Sequence, residues 1–127
     1  MSECKRDRDR ATAAFRRWAR AGCPDAEEIR NRQHAGRRSQ SDLLACALVF
    51  ALLSDPEYRA RSNAAEGREI MAAVRAVYMA DPGHELRRSE ISGRVTRFAL
   101  DHYTAERTVY YWLRRARDLW RHARAEV

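Results

Sequence analysis

The chain predicts an all-α fold, a bundle of five or six helices, on three observations. Apolar residues recur at the i, i+3, i+4 spacing of a single helix face through most of its length. Val and Ile are few, and no stretch alternates as a half-buried strand requires. The strongest turn signals, Gly22-Cys23-Pro24, Asp55-Pro56 and Asp81-Pro82-Gly83, fall between the periodic segments. At 127 residues the chain is one domain's worth, read as a single domain over 1–127 with two parts. Residues 1–62 form an N-terminal helical part, a candidate for oligomerisation, and residues 63–127 hold the last three helices.

In order along the chain, Arg8 to Ala21 places Ala11, Ala14, Phe15 and Trp18 on one face with arginines opposite, and Gly22 stops the helix. A weaker helix spans Asp25 to Gln33, with Glu27 and Glu28 in its first turn. His34 to Gln40 reads as a polar linker. Ser41 or Asp42 then caps a helix from Leu43 to Leu53. That helix is apolar on all sides and so belongs at the centre of the bundle. Asp55-Pro56 ends it, because the residue before a proline is disfavoured in helix. From Glu66 to Ala80 the stripe is Ile70, Met71, Val74, Val77 and Tyr78.

Charge is unevenly placed. Residues 1–40 carry eleven Lys/Arg against six Asp/Glu, residues 41–85 four against seven, and residues 86–127 ten against five. The excess that makes the chain +7 therefore lies at its two ends. Basic ends give the salt-sensitive attraction that nucleic acid exerts on proteins. All but Lys5 of the 25 basic residues are arginines, a usage that a GC-rich genome produces without any such role.

The last two helices carry the most information. In the first, Ile91, Val95 and Phe98 share a narrow arc with Ala99 at its edge, and Arg94 and Arg97 flank it. A short polar turn follows, and Thr104 reads as the N-cap of the final helix. There Val109, Trp112, Leu113, Ala116, Leu119, Trp120 and Ala123 gather into about a third of the circumference. The opposite face carries Arg107, Tyr110, Tyr111, Arg114 and Arg121. This is the layout of a helix-turn-helix, in which the N-terminal residues of the second helix meet base edges in the DNA major groove. Arginine pairs bidentately with guanine, and tyrosine and threonine hydroxyls reach phosphate. The candidate base contacts are Glu106, Arg107, Tyr110, Tyr111 and Arg114. The candidate backbone contacts are Arg87, Arg88, Arg94, Arg97, Thr104, Thr108 and Arg115. Arg117, Arg121 and Arg124 lie further back on the same helix and at most touch the DNA backbone.

Ala76-Val77-Tyr78-Met79 and Glu106-Arg107-Thr108-Val109-Tyr110-Tyr111-Trp112-Leu113 carry a resemblance. With them, the stretch from Arg75 to Arg124 resembles the C-terminal half of the RinA/ArpU-type phage and prophage transcriptional regulators, themselves similar to region 4 of sigma factors. The resemblance implies a helix-turn-helix regulator that binds double-stranded DNA, with RNA polymerase as a candidate second partner. The family's glycine-containing turn is replaced here by Leu100-Asp101-His102-Tyr103-Thr104. Without a glycine, Asp101 or His102 is expected to take the left-handed conformation. With Glu90 eighteen residues before Thr108, the supporting helix is about two turns longer than the family's.

Other chemistry is poorly encoded. The four histidines are scattered without metal-ligand spacing, and Cys4, Cys23 and Cys46 form no C-x-x-C pair. No phosphate-binding glycine loop or nucleophile elbow occurs. The expectation is a non-enzymatic, cytoplasmic protein with no metal, no cofactor and no membrane segment, since the longest apolar run, Leu43 to Leu53, is too short to span a bilayer. The Trp18 helix is the candidate contact for a homodimer. The rival expectations are a small-terminase-like packaging protein and a helical interaction module that never touches DNA.

Overall fold

The computed structural model describes residues 3–32, 36–61 and 66–127, with the backbone alone for 59–61. Seven helices and no strand occur among the described residues. They are α1 (Lys5–Arg20), α2 (Ala26–Asn31), α3 (Arg37–Ser54), α4 (Pro56–Arg61), α5 (Glu66–Val74), α6 (Arg88–Asp101) and α7 (Glu106–Glu126). Helix α5 continues without a break into a wider π-helical turn, Arg75–Met79.

Helix α3 is the axis of the bundle, as its apolar circumference requires. It packs against α1, α2, α4, α5 and α7, and buries Leu43, Cys46, Val49, Phe50 and Leu53. Its exposed residues are Arg37 and Arg38 at the start and Ala51, Leu52 and Ser54 in the last turn. Helix α7 crosses α3 and α5 and lays Val109, Leu113, Ala116 and Trp120 into the same core. A single apolar cluster thus runs from Ala11 to Trp120. The expected division at 62/63 falls outside the described residues. Helix α6 is peripheral, anchored on α7 and the π turn by Val95, Phe98 and Ala99.

The sequence reading of α3 needs correction. The helix begins at Arg37 behind Gly36, so Arg37 to Gln40 are helical rather than linker; residues 34 and 35 lie outside the described residues. Asp42 is therefore not a cap but an interior helical residue, 5 % exposed. Its Oδ1 accepts from Arg10 at 3.0 Å and from Arg124 at 2.6 Å, and its carbonyl accepts from the Trp120 indole at 3.2 Å. One carboxylate thereby ties α1, α3 and α7 together, a buried charge held by two opposite ones. The short helix α4, which raises the count above six, starts where the proline signal marked a stop. Pro56 sits in its first turn, where no N–H is needed, and the Asp55 carboxylate accepts from the Glu57 N–H at 2.9 Å.

Trp18 does not face a partner. It is 4 % exposed, tilted against Phe50 at 4.8 Å between ring centroids, and donates its indole N–H to the Pro24 carbonyl at 2.8 Å. The apolar face of α1 closes the chain's own core and is not available for the expected dimer contact. Gly22, at φ +86°, ends α1 as the sequence indicated: the Cys23 N–H reaches back to the Trp18 carbonyl and the Gly22 N–H to that of Ala19. Among the described residues no helix is long and apolar enough to cross a membrane.

Candidate nucleic-acid interface

Helices α6 and α7 are joined by four residues, His102 to Ala105. The α6 end closes on itself: the Thr104 N–H donates to the Ala99 carbonyl at 3.0 Å and the Tyr103 N–H to Leu100 at 3.4 Å. This double closure needs a left-handed residue between the helix end and Thr104. That residue is Tyr103, at φ +51°, not Asp101 or His102. Asp101 stays within the helix and His102 becomes its cap, the ring stacked on Phe98 at 3.8 Å. Burial of Phe98 and Ala99 sets the helix register, and the closure then falls on whatever residue occupies the fifth place. Tyr103 is left 98 % exposed, an aromatic ring held on a strained backbone at the point of the turn.

Thr104 is not the N-cap of α7 either. Ala105 takes that position, with no side-chain hydrogen bond. The start of α7 is pinned through Glu106, whose carboxylate accepts from the Thr96 hydroxyl of α6. Glu106 was expected to meet bases; one of its oxygens clamps the two helices together. At the far end of α6 only half a capping box forms. Glu90 accepts from the Arg87 N–H at 3.4 Å, while the Arg87 side chain, having no acceptor, cannot reciprocate. The His84 ring at 3.1 Å is the main reason the Glu90 carboxyl lies below its ordinary range.

Behind this clamp, the face of α7 predicted from spacing is present. Arg107, Tyr110, Tyr111 and Arg114 are exposed, Thr108 and Arg115 are half-buried at its margin, and Val109, Leu113 and Ala116 are buried beneath. Neither Arg107 nor Arg114 makes an ion pair with the described residues. Trp112 packs edge-on to Phe98 at 6.3 Å and fixes α6 against α7.

The arginines expected at the DNA backbone do not all stand together. Arg87 and Arg88 are exposed and border a large groove that also meets Tyr110. Arg97 lies nine residues on, about half a turn round α6. It borders a separate, smaller hollow shared with Arg75 and His102 on the α5 side. Arg94 is committed elsewhere: its Nη1 donates to the carbonyls of Val77 and Ala80, both at 2.9 Å. Its place is at the end of the π turn, where the wider helix leaves its last carbonyls without intrahelical partners. Further back on α7, Arg117, Arg121 and Arg124 are structural. Arg117 is buried and holds Glu3 through two bonds of 2.8 and 2.9 Å and the Tyr78 hydroxyl at 2.5 Å. Burial alone would lower its pKa, but Glu3 and Tyr78 more than offset that and raise it.

Arg16 went unnoticed in the sequence. It is 6 % exposed on α1 and donates to the carbonyls of Tyr78 (2.7 Å), Ala80 (3.4 Å), Asp81 (2.8 Å) and His84 (2.5 Å). It makes no ion pair among the described residues, and burial, reinforced by Arg94 and Arg20 and opposed more weakly by Glu90 and Asp81, lowers its pKa. It fixes the loop that carries Arg87 and Arg88. Sequence offered no signal, since an arginine among five others on the polar side of α1 looks solvated.

Among the described residues no cluster of three or more His, Cys, Asp or Glu could hold a metal ion. Cys23 is exposed, and partial desolvation raises its pKa, the opposite of the shift that activates a thiol. Comparison of the chain with family models, curated proteins and solved structures finds no match.

Proposed function

We propose that this protein binds double-stranded DNA sequence-specifically and regulates transcription, with α6, the 102–105 turn and α7 acting as a helix-turn-helix. The observation that carries the reading is the N-terminal half of α7: Arg107, Tyr110, Tyr111 and Arg114 lie exposed over a buried apolar back, and neither arginine has an ion-pair partner among the described residues. In this reading Arg107, Tyr111 and Arg114 meet base edges, while Arg87, Arg88 and Arg115 hold phosphates. Arg94 and Glu106 drop to supporting roles, because each already has partners within the chain. The sequence resemblance to phage and prophage regulators supports the same assignment and makes the DNA around the protein's own gene the first place to look for a site.

Fluorescence anisotropy on a duplex from that region, against a scrambled duplex at two salt concentrations, tests the proposal. A preference of about a hundredfold or more at physiological salt is expected. Arg107→Ala should reduce specific affinity by about 1–3 kcal/mol and relax the preference at one base pair. Equal, salt-labile binding to both duplexes would overturn it, since any basic protein binds DNA non-specifically at low salt.

A further inference from the structure

A concavity of about 1230 Å³ among the described residues is not formed by the α6–α7 pair alone. One wall is α1 and the other is the 82–88 segment with the start of α6; α7 meets it through Tyr110, Leu113 and the Glu3-bound Arg117. Besides Arg16 and Arg117, its Lys and Arg side chains are Lys5, Arg8, Arg17 and Arg20 on α1 and Arg87 and Arg88 opposite. None of the six makes an ion pair among the described residues, and only Asp9 and Glu85 in the lining oppose them. The buried Arg16 guanidinium lies beneath, bonded to carbonyls whose partial charges offset it only in part. Unpaired like charges facing one another across a groove are unfavourable in the free protein and are relieved by an anionic occupant.

The four α1 residues line the groove over the length of the helix from Lys5 to Arg20, about 22 Å, spread over about half its circumference with Arg8 and Arg17 at the two edges and Lys5 and Arg20 between them. One strand presents a phosphate about every 3.4 Å of duplex axis, and because it winds the spacing along the strand is about twice that, so this length spans about three phosphates. A compact anion would engage one or two of these side chains, whereas a polyanionic strand engages the row. Tyr110 belongs both to the exposed face of α7 and to the groove, so the two surfaces are continuous.

We infer that the groove between α1 and the 82–88 loop holds the sugar-phosphate backbone of the duplex whose base edges meet α7, with Lys5, Arg8, Arg17 and Arg20 as phosphate contacts that extend the footprint onto the N-terminal helix. This assignment rests on the α7 reading above. It adds a sequence-independent grip from a helix outside the helix-turn-helix.

Salt dependence separates the two. Each phosphate contact contributes about 0.9 to the slope of log K against log salt on duplex DNA. In the full chain, replacing Lys5, Arg8, Arg17 and Arg20 together by Gln should make that slope shallower by about 2–4 units. The change should be equal on the specific and scrambled duplexes, leaving their affinity ratio unchanged. Replacing only the exposed Arg17 and Arg20 by Gln gives a second, smaller change of the same kind, about 1–2 units, useful should the fourfold variant fail to fold. An unchanged slope in a folded variant, with Arg107→Ala still relaxing the preference at one base pair, would overturn the groove assignment and leave the α7 reading standing. Polyglutamate bound by the native chain and lost in the fourfold variant, with the DNA slope unchanged, would overturn it in favour of an acidic protein segment. No DNA binding at any salt concentration would remove both.

Discussion

Tyr103→Gly should stabilise this protein, although it removes a large aromatic side chain. A non-glycine residue in the left-handed region costs about 1–2 kcal/mol, and Tyr103 sits there at φ +51°. At 98 % exposure the ring contributes almost no burial that glycine would forfeit. Against the relief stands the greater freedom of glycine in the unfolded chain, about 0.5–1 kcal/mol. The balance is a gain of about 0.5–1 kcal/mol, or about 2–4 °C in Tm for a domain of this size. Thermal and urea unfolding followed by circular dichroism measure it, and the urea slope should be unchanged because the surface exposed on unfolding is the same. A lowered Tm with an unchanged slope would refute the reasoning, for it would mean that the ring makes contacts strong enough to outweigh the backbone strain. The same variant bears on function. A strained, exposed tyrosine kept at the tip of the turn fits a DNA contact, so Tyr103→Gly should weaken duplex binding while it raises stability, and the two readouts move in opposite directions.

Two further substitutions address the buried charges. Arg16→Met removes a guanidinium that serves four carbonyls, one of them buried, and should cost about 2–4 kcal/mol in urea unfolding once water re-satisfies the exposed oxygens; a loss below about 1 kcal/mol would show that the 78–84 segment holds its course without it. Asp42→Ala leaves Arg10 and Arg124 facing each other without their shared carboxylate. Both arginines keep some access to water, which places the loss at about 2–3 kcal/mol rather than the 3–5 of a fully buried pair, and restoring stability by replacing Arg124 with Met in the same chain would identify the uncompensated charge as the cause.

The fold was legible where apolar periodicity decides it. The stripes of α1, α5 and α7 and the all-round apolarity of α3 specify which faces meet, and those residues form the core. Helix ends were less legible. Gly22 marked its own end because glycine tolerates the left-handed conformation, but Tyr103 carries no such mark, and its backbone follows from where Phe98 and Ala99 must be buried. The start of α3 was missed because Arg37 to Gln40 lack apolar periodicity and become helical by continuation from the core segment. The exposed face of α7 could be read from spacing alone. The α1 wall of the groove could not, since its basic stripe gains meaning only from the loop that Arg16 holds opposite it.

Net charge treats every arginine alike, and the structure does not. Along α7 the roles divide near Arg115. Beyond it, Arg117, Arg121 and Arg124 are bound to Glu3, Asp7 with Asp118, and Asp42, and they fasten the helix to α1, α3 and the N-terminal segment. Before it, Arg107 and Arg114 have no ion-pair partner among the described residues. On α1 the roles divide by partner instead: Arg10 is bound to Asp42 and Arg16 to the carbonyls of the 78–84 segment, while Lys5, Arg8, Arg17 and Arg20 make no ion pair among the described residues. The anchored arginines are thus the reason the free ones stand where they do. A helix tied by ion pairs in its C-terminal half, and by Glu106 and its apolar back in its N-terminal half, leaves the outer face of that N-terminal half exposed, and a loop fixed by one buried guanidinium keeps two more at the groove's edge. Surface charge with a place to act is produced here by interior charge without one.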